Sequence, residues 1–173
     1  MAMQRTAAGL AAAAMMALSG TALAETKAID LGGPGGARMR GTARADVMKG
    51  LGGNDAIHGK GGNDTLYGNA GHDALYGGAG NDTAYGGGGD DRAEERAVYG
   101  GSGDDTLHGD AGDDALYGGP GVDKIRAGDG NDLVGSEGDG EVDTVDCGAG
   151  TDVVKKSPVE QIDTFVNCEG FVS

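Results

Sequence analysis

Asp55, Asp64, Asp73, Asp82 and Asp91 stand nine residues apart, and after one interruption the same interval carries Asp105, Asp114, Asp123 and Asp132. An aspartate can act as acid, base, nucleophile or metal ligand. Acid–base or nucleophilic work calls for a unique pair, whereas these residues recur on a beat. Carboxylates stacked at equal spacing repel one another, and a shared dication reverses that repulsion. Their oxygens are hard donors of the kind Ca²⁺ collects, six to eight at about 2.3–2.6 Å in tolerant geometry; Mg²⁺ asks for a tighter octahedron and dehydrates reluctantly. Zinc or copper would call for His or Cys. His58, His72 and His108 fall at repeat positions expected to face outward, in solvent rather than on a metal.

Such a row needs an element that returns at a fixed period. Each aspartate closes a glycine turn, as in Gly77-Gly-Ala-Gly-Asn-Asp82 and Gly100-Gly-Ser-Gly-Asp-Asp105, and an aliphatic residue follows two places later. A strict period of this length is the mark of a solenoid. Each repeat divides into a six-residue turn, whose glycines permit angles a Cβ resists, and a three-residue strand. Side chains alternate along a strand, so its middle residue points inward. The inward series is Met48, Ile57, Leu66, Leu75, Ala84, Val98, Leu107, Leu116, Ile125, Val134, Val145 and Val154. Two repeats make a coil of 18 residues, and coils stack as parallel strands on two faces. Tyr67 and Tyr85 then form a surface ladder outside one face. The expected fold is all-β: a parallel β-roll, or β-solenoid, of nine-residue repeats with two repeats per coil and a C-terminal cap.

Bulk composition agrees with a cation-binding coil. The 173 residues include 38 glycines, no Trp and 4% aromatics, and the formal net charge is −15. Nucleic acid and an anionic membrane surface are disfavoured partners for such a charge. One aliphatic per nine residues is a thin core, so the metal-free chain is expected to be disordered and the calcium-loaded chain ordered. Residues 1–24 read as a secretory signal peptide: Arg5 supplies the positive start, residues 7–18 the short apolar run, and Ala22-Leu-Ala24 the cleavage site. Cleavage after Ala24 implies a secreted, extracellular protein. Cys147 and Cys168 are compatible with one disulfide in an oxidising compartment, although spacing alone does not establish it.

The remaining boundaries follow the beat. Residues 25–40 read as a flexible leader, 41–155 as the repeats and 156–173 as a capping segment with both Phe residues. A five-residue slip between Asp91 and Asp105 is placed at residues 92–96, an exposed bulge that brings Ala97-Val98-Tyr99 into line with Ala74-Leu75-Tyr76 and Ala115-Leu116-Tyr117. A two-residue slip falls near residues 136–141. Asp46, Asp143 and Asp152 follow irregular turns, with Arg44, Glu141 or Cys147 where the other turns carry glycine, and are weaker candidates.

These repeats closely resemble the hemolysin-type calcium-binding repeat, the RTX nonapeptide family, with consensus Gly-Gly-x-Gly-x-Asp-x-(aliphatic)-x over residues 41–155. The resemblance implies several Ca²⁺ ions held between turns of adjacent coils. Its implied ligands are the carboxylates of Asp55, Asp64, Asp73, Asp82, Asp91, Asp105, Asp114, Asp123 and Asp132. Carbonyls at the glycine positions complete the shell: Gly59, Gly62, Gly77, Gly80, Gly86, Gly89, Gly100, Gly103, Gly118 and Gly121. Alternate repeats share a side, which pairs Asp64, Asp82, Asp105 and Asp123 in one row and Asp55, Asp73, Asp91, Asp114 and Asp132 in the other. Many relatives carry such repeats behind an effector domain and a C-terminal export signal; an N-terminal signal is expected here instead.

The favoured reading is a secreted, non-catalytic calcium-binding β-roll that folds or stiffens on binding. A calcium-dependent adhesive or matrix protein with a cell-surface partner is the alternative. A small enzyme is disfavoured because neither His-Glu-x-x-His nor Gly-x-Ser-x-Gly occurs.

Overall fold

The computed structural model describes residues 27–30, 35–92, 97–136, 141–156 and 163–172. The expected signal peptide and most of the expected bulge at 92–96 lie outside them. Strands numbered in chain order alternate between two parallel sheets. The first sheet holds β1 (Lys27–Asp30), β3 (Asp46–Lys49), β5 (Thr65–Ala70), β7 (Thr83–Gly88), β9 (Thr106–Ala111), β11 (Lys124–Asp129), β13 (Thr144–Ala149) and β15 (Thr164–Val166). The second holds β2 (Arg38–Arg40), β4 (Ala56–Gly61), β6 (Ala74–Ala79), β8 (Val98–Ser102), β10 (Ala115–Tyr117), β12 (Leu133–Ser136), β14 (Val153–Lys156) and β16 (Gly170–Val172). The fold is therefore the β-roll read from the repeats.

Every residue of the inward series is at most 1% exposed, and the two rows meet in a single core between the sheets. Register follows the beat: Leu66 lies beside Ala84, Ala84 beside Leu107, and Leu107 beside Ile125. The slip before Val98 is absorbed where it was placed, since Val98 pairs with Leu75 on one side and Leu116 on the other.

Two expectations are corrected. Strands β4 to β7, β9, β11 and β13 run to six residues rather than three, because pairing skips the first glycine and then resumes through the turn, as in Gly78↔Gly101 and Ala79↔Ser102 after Gly77, whereas β10 keeps three. The backbone bends at Gly77 without leaving the ladder. The solenoid also begins earlier than the leader at 25–40 allowed: β1 pairs with β3, and β2 pairs with β4. Met39 supplies an inward side chain that is 1% exposed, and Ala37 stands where later repeats carry the turn aspartate, so this segment buries a rung of core without a carboxylate of its own.

At the other end Cys147 and Cys168 are joined in a disulfide, which resolves the open question of their pairing. Phe165 and Phe171, from the last strand of each sheet, meet edge to face at 5.4 Å. The Lys156 ammonium lies 4.0 Å and 3.9 Å from their ring centres.

The outer faces carry stacked rings. Tyr67 and Tyr85 lie 5.0 Å apart with planes 4° from parallel, as expected of a ladder, and His108 extends the stack. A second stack, His58–Tyr76–Tyr99–Tyr117, runs along the other sheet at 4.4–5.0 Å. These intervals are close to the spacing of neighbouring strands, about 4.8 Å, so the sheet itself sets the ring separation.

Candidate metal centre

The aspartates that close the turns are not splayed into water. Asp55, Asp64, Asp82, Asp105 and Asp132 are each 1–2% exposed, and Asp73, Asp91, Asp114 and Asp123 are fully buried. Each uses its Oδ1 in the same way, accepting a backbone N–H from one coil before it: that of Ala37 for Asp55 and that of an aspartate for the others. Asp64 donates to Asp82 at 2.7 Å, Asp82 to Asp105 at 2.7 Å, and Asp105 to Asp123 at 2.8 Å. On the other side Asp55 donates to Asp73 at 2.7 Å, Asp73 to Asp91 at 2.6 Å, Asp91 to Asp114 at 2.9 Å and Asp114 to Asp132 at 2.9 Å. The neighbours are those read from the period.

The weaker candidates join the same rows. Asp46 donates to Asp64, Asp123 to Asp143, and Asp132 to Asp152. Asp143 and Asp152 donate in turn to Asp163 Oδ1 and Glu169 Oε2, both at 3.1 Å, so the tail ends each row with an acidic acceptor. Irregular turns thus preserve the ladder because it depends only on the acceptor and a main-chain N–H.

The other oxygen of these carboxylates is the chemically important one. Oδ2 of Asp55, Asp64, Asp82, Asp91, Asp105, Asp114, Asp132 and Asp152 is buried with no hydrogen-bond partner. A buried charge without a compensating group is unfavourable. Burial accordingly raises the carboxyls above the ordinary 3.8: Asp64 and Asp132 to about 6, Asp91 and Asp105 to about 7, and Asp114 to about 8. The backbone hydrogen bond opposes the rise, and neighbouring carboxylates such as Asp82 and Asp123 beside Asp105 add to it.

The expectation that repulsion governs the rows is therefore modified. Half of each carboxylate is satisfied by the main chain, burial is the larger penalty, and repulsion comes after it.

Glycine shapes the space around the orphaned oxygen. A Cβ at Gly77 would collide with Asp82 Oδ2 and with the Gly100 carbonyl oxygen of the next coil. Gly59 stands in the same relation to Asp64 Oδ2 and the Gly77 carbonyl, and Gly100 to Asp105 Oδ2 and the Gly118 carbonyl. Gly86 stands likewise to Asp91 Oδ2 and the Gly109 carbonyl. At Gly118 the carboxylate of Asp123 is the neighbour. The second set expected from the repeats, Gly62, Gly80, Gly89, Gly103 and Gly121, has positive φ between 100° and 140°. There a Cβ would strike the backbone of the coil before, which for Gly80 is the Gly62 carbonyl.

This donor set fits calcium: a hard carboxylate oxygen lacking a partner beside a hard main-chain carbonyl. Among the described residues no three His, Cys, Asp or Glu side chains converge on a metal-sized cluster, so main-chain oxygens have to complete any shell. The histidines are elsewhere. His58 and His108 belong to the ring stacks, and His72 Nδ1 lies 2.8 Å from the Asp90 carbonyl, which accepts its N–H.

A second ladder escaped sequence reasoning. Where the residue before the aspartate is Asn or Asp, its Oδ1 accepts a backbone N–H from the equivalent residue one coil later: Asn63 from Asn81 at 3.1 Å, Asp104 from Val122 at 3.0 Å, Asp113 from Asn131 at 2.8 Å. It is exposed and runs opposite in sense to the buried row. Its signal was available in the recurrence of Asn or Asp at 54, 63, 81, 90, 104, 113 and 131.

The family model for the RTX calcium-binding nonapeptide repeat, itself spanning four copies of the repeat, matches residues 31–66, 67–93 and 99–134. With more than half of the chain matched, the protein belongs to that family and is a calcium-binding β-roll protein. No curated protein matches the chain.

Proposed function

We propose that this protein is an exported, non-catalytic roll that folds or stiffens when several Ca²⁺ ions enter its turns. The observation carrying this reading is the row of buried Oδ2 atoms with no hydrogen-bond donor. Those of Asp55, Asp64, Asp82, Asp91, Asp105, Asp114 and Asp132, with the carboxylates of Asp73 and Asp123, would hold the ions together with the glycine carbonyls of the turns. Bound there, Ca²⁺ would supply the positive charge that burial denies these groups. The chain's own contribution is to fix each carboxylate through its Oδ1 bond and to keep side chains out of the turn.

Residues 1–24 are proposed to direct export and 156–173 to cap the last coil. No helix among the described residues is long and apolar enough to cross a membrane. Calcium outside cells is commonly near millimolar, and extracellular modules bind it with constants of about 10⁻⁴–10⁻³ M. Export would thus coincide with folding.

Titration of the chain beginning at Glu25 with calcium, followed by circular dichroism, is expected to give a cooperative gain of β signal. An unchanged spectrum, or the same gain with magnesium alone, would remove this reading.

A further inference from the structure

Two outward-facing constellations on the roll share one pattern. On β2, Arg38 and Arg40 flank the buried Met39, and Ala56 and His58 of β4 lie beside them in register. On β11, Lys124 and Arg126 flank the buried Ile125, beside Thr106 and His108 of β9. In both places a histidine ends a stack of tyrosines and an arginine occupies the next rung. Side chains two residues apart on a strand leave the same face about 6–7 Å from each other. Two long cationic side chains rooted at that interval can converge on one oxyanion, and guanidinium forks match the oxygens of sulfate, phosphate or carboxylate.

The β2 copy is the more favourable. A hollow of about 250 Å³ opens there, lined by Arg38, Arg40, Ala56, His58, Ala74 and Tyr76 along with Met39, and among the described residues no carboxylate lines it. Alanines at 56 and 74 leave its floor low where larger side chains would fill it. Neither guanidinium forms an ion pair with a described residue, although the chain carries a net charge of −15. The hollow at Lys124 and Arg126 is larger, about 450 Å³, but Asp146 lines it and would oppose an anion.

We propose that the Arg38–Arg40 hollow on the outer face of the second sheet is an oxyanion-binding site, to which a sulfate, phosphate or carboxylate group is recruited. The site is distinct from the turns and faces away from them. It rests on the proposed function only in that the calcium-loaded roll is taken as the folded form. Each dication in the turns would also offset two negative charges, weakening the repulsion an incoming anion meets.

Calorimetry on the calcium-loaded chain would use sodium sulfate and dextran sulfate as probes, with neutral dextran as blank. Saturable binding is expected, weakened roughly tenfold or more in R38Q/R40Q and less than about threefold in K124Q/R126Q. Tighter binding of dextran sulfate per sulfate group assigns a polymer-borne anion, and equal binding a free one. Calcium-dependent circular dichroism that is the same for the wild type and R38Q/R40Q shows that the lost binding reports the hollow. No binding of either probe, or wild-type binding by R38Q/R40Q, overturns the proposal.

Discussion

Asp82 donates its backbone N–H to Oδ1 of Asp105 at 2.7 Å, although 23 residues separate them where most coils use 18. The extra residues leave the acidic row intact, which marks the row as the element the fold preserves. Asp105 sits within it with Oδ1 engaged and Oδ2 orphaned. Asp105→Asn keeps an acceptor for the Asp82 N–H while removing the charge. It is expected to bind less calcium with little loss of calcium-free structure. Asp105→Ala strands the Asp82 N–H as well and should cost a further 1–3 kcal/mol or so. Calcium stoichiometry together with urea unfolding separates the two effects.

Acidity should replace calcium in part. Burial raises Asp64, Asp132, Asp91, Asp105 and Asp114 to between about 6 and about 8 in the fold, against an ordinary 3.8. A carboxyl raised by folding contributes stability that is complete below the ordinary value and lost as pH rises through the folded one. The calcium-free roll is therefore weakest above about pH 8 and gains stability as pH falls toward 4. Circular dichroism in chelator across this range should show β signal growing on acidification. The calcium midpoint should rise over the same interval, as protons compete for the carboxylates. A calcium-free chain equally unstructured at pH 4 and pH 8 would contradict the ladder's burial.

Glycine at the start of the turn is required by contact. Gly77→Ala places a Cβ against both Asp82 Oδ2 and the Gly100 carbonyl, so the calcium-loaded melting temperature should fall and the calcium midpoint rise. At Gly52 the nearest atom to a Cβ is the Ala70 carbonyl oxygen, 3.8 Å away. Gly52→Ala is expected to stay within about 0.5 kcal/mol of wild type. Equal effects of the two substitutions would mean that glycine's role is general chain flexibility.

Lys60 offers the opposite experiment. It holds φ at 85°, and its partner in register, Gly78, holds 117°. A left-handed backbone costs a residue with a Cβ about 1–2 kcal/mol, and glycine escapes most of it. Lys60→Gly should raise the calcium-loaded melting temperature by about 3 °C. A fall would show that the lysine side chain contributes more than its backbone costs.

Much of the fold was legible because a nine-residue period is a one-dimensional code. Once alternate repeats share a side, Met48 through Val154 must point inward and Asp64 must neighbour Asp82. The aliphatic after each aspartate carried that information, and it survived both slips. Less legible were β1 and β2, because Ala37 replaces the aspartate that marks the later repeats although Met39 keeps the inward place. The Cys147–Cys168 link lay in the same category, since spacing does not bring two sulfurs together.

From sequence alone come the period, the two faces, the inward aliphatics and the acidic partners, because stacking a regular repeat leaves each residue type one place to go. Tertiary structure alone decides how each carboxylate is used, with Oδ1 on the preceding coil's N–H and Oδ2 buried without a donor. Hydrogen bonding and burial depend on the approach of two coils to within a few ångströms, a distance that no spacing along one chain encodes.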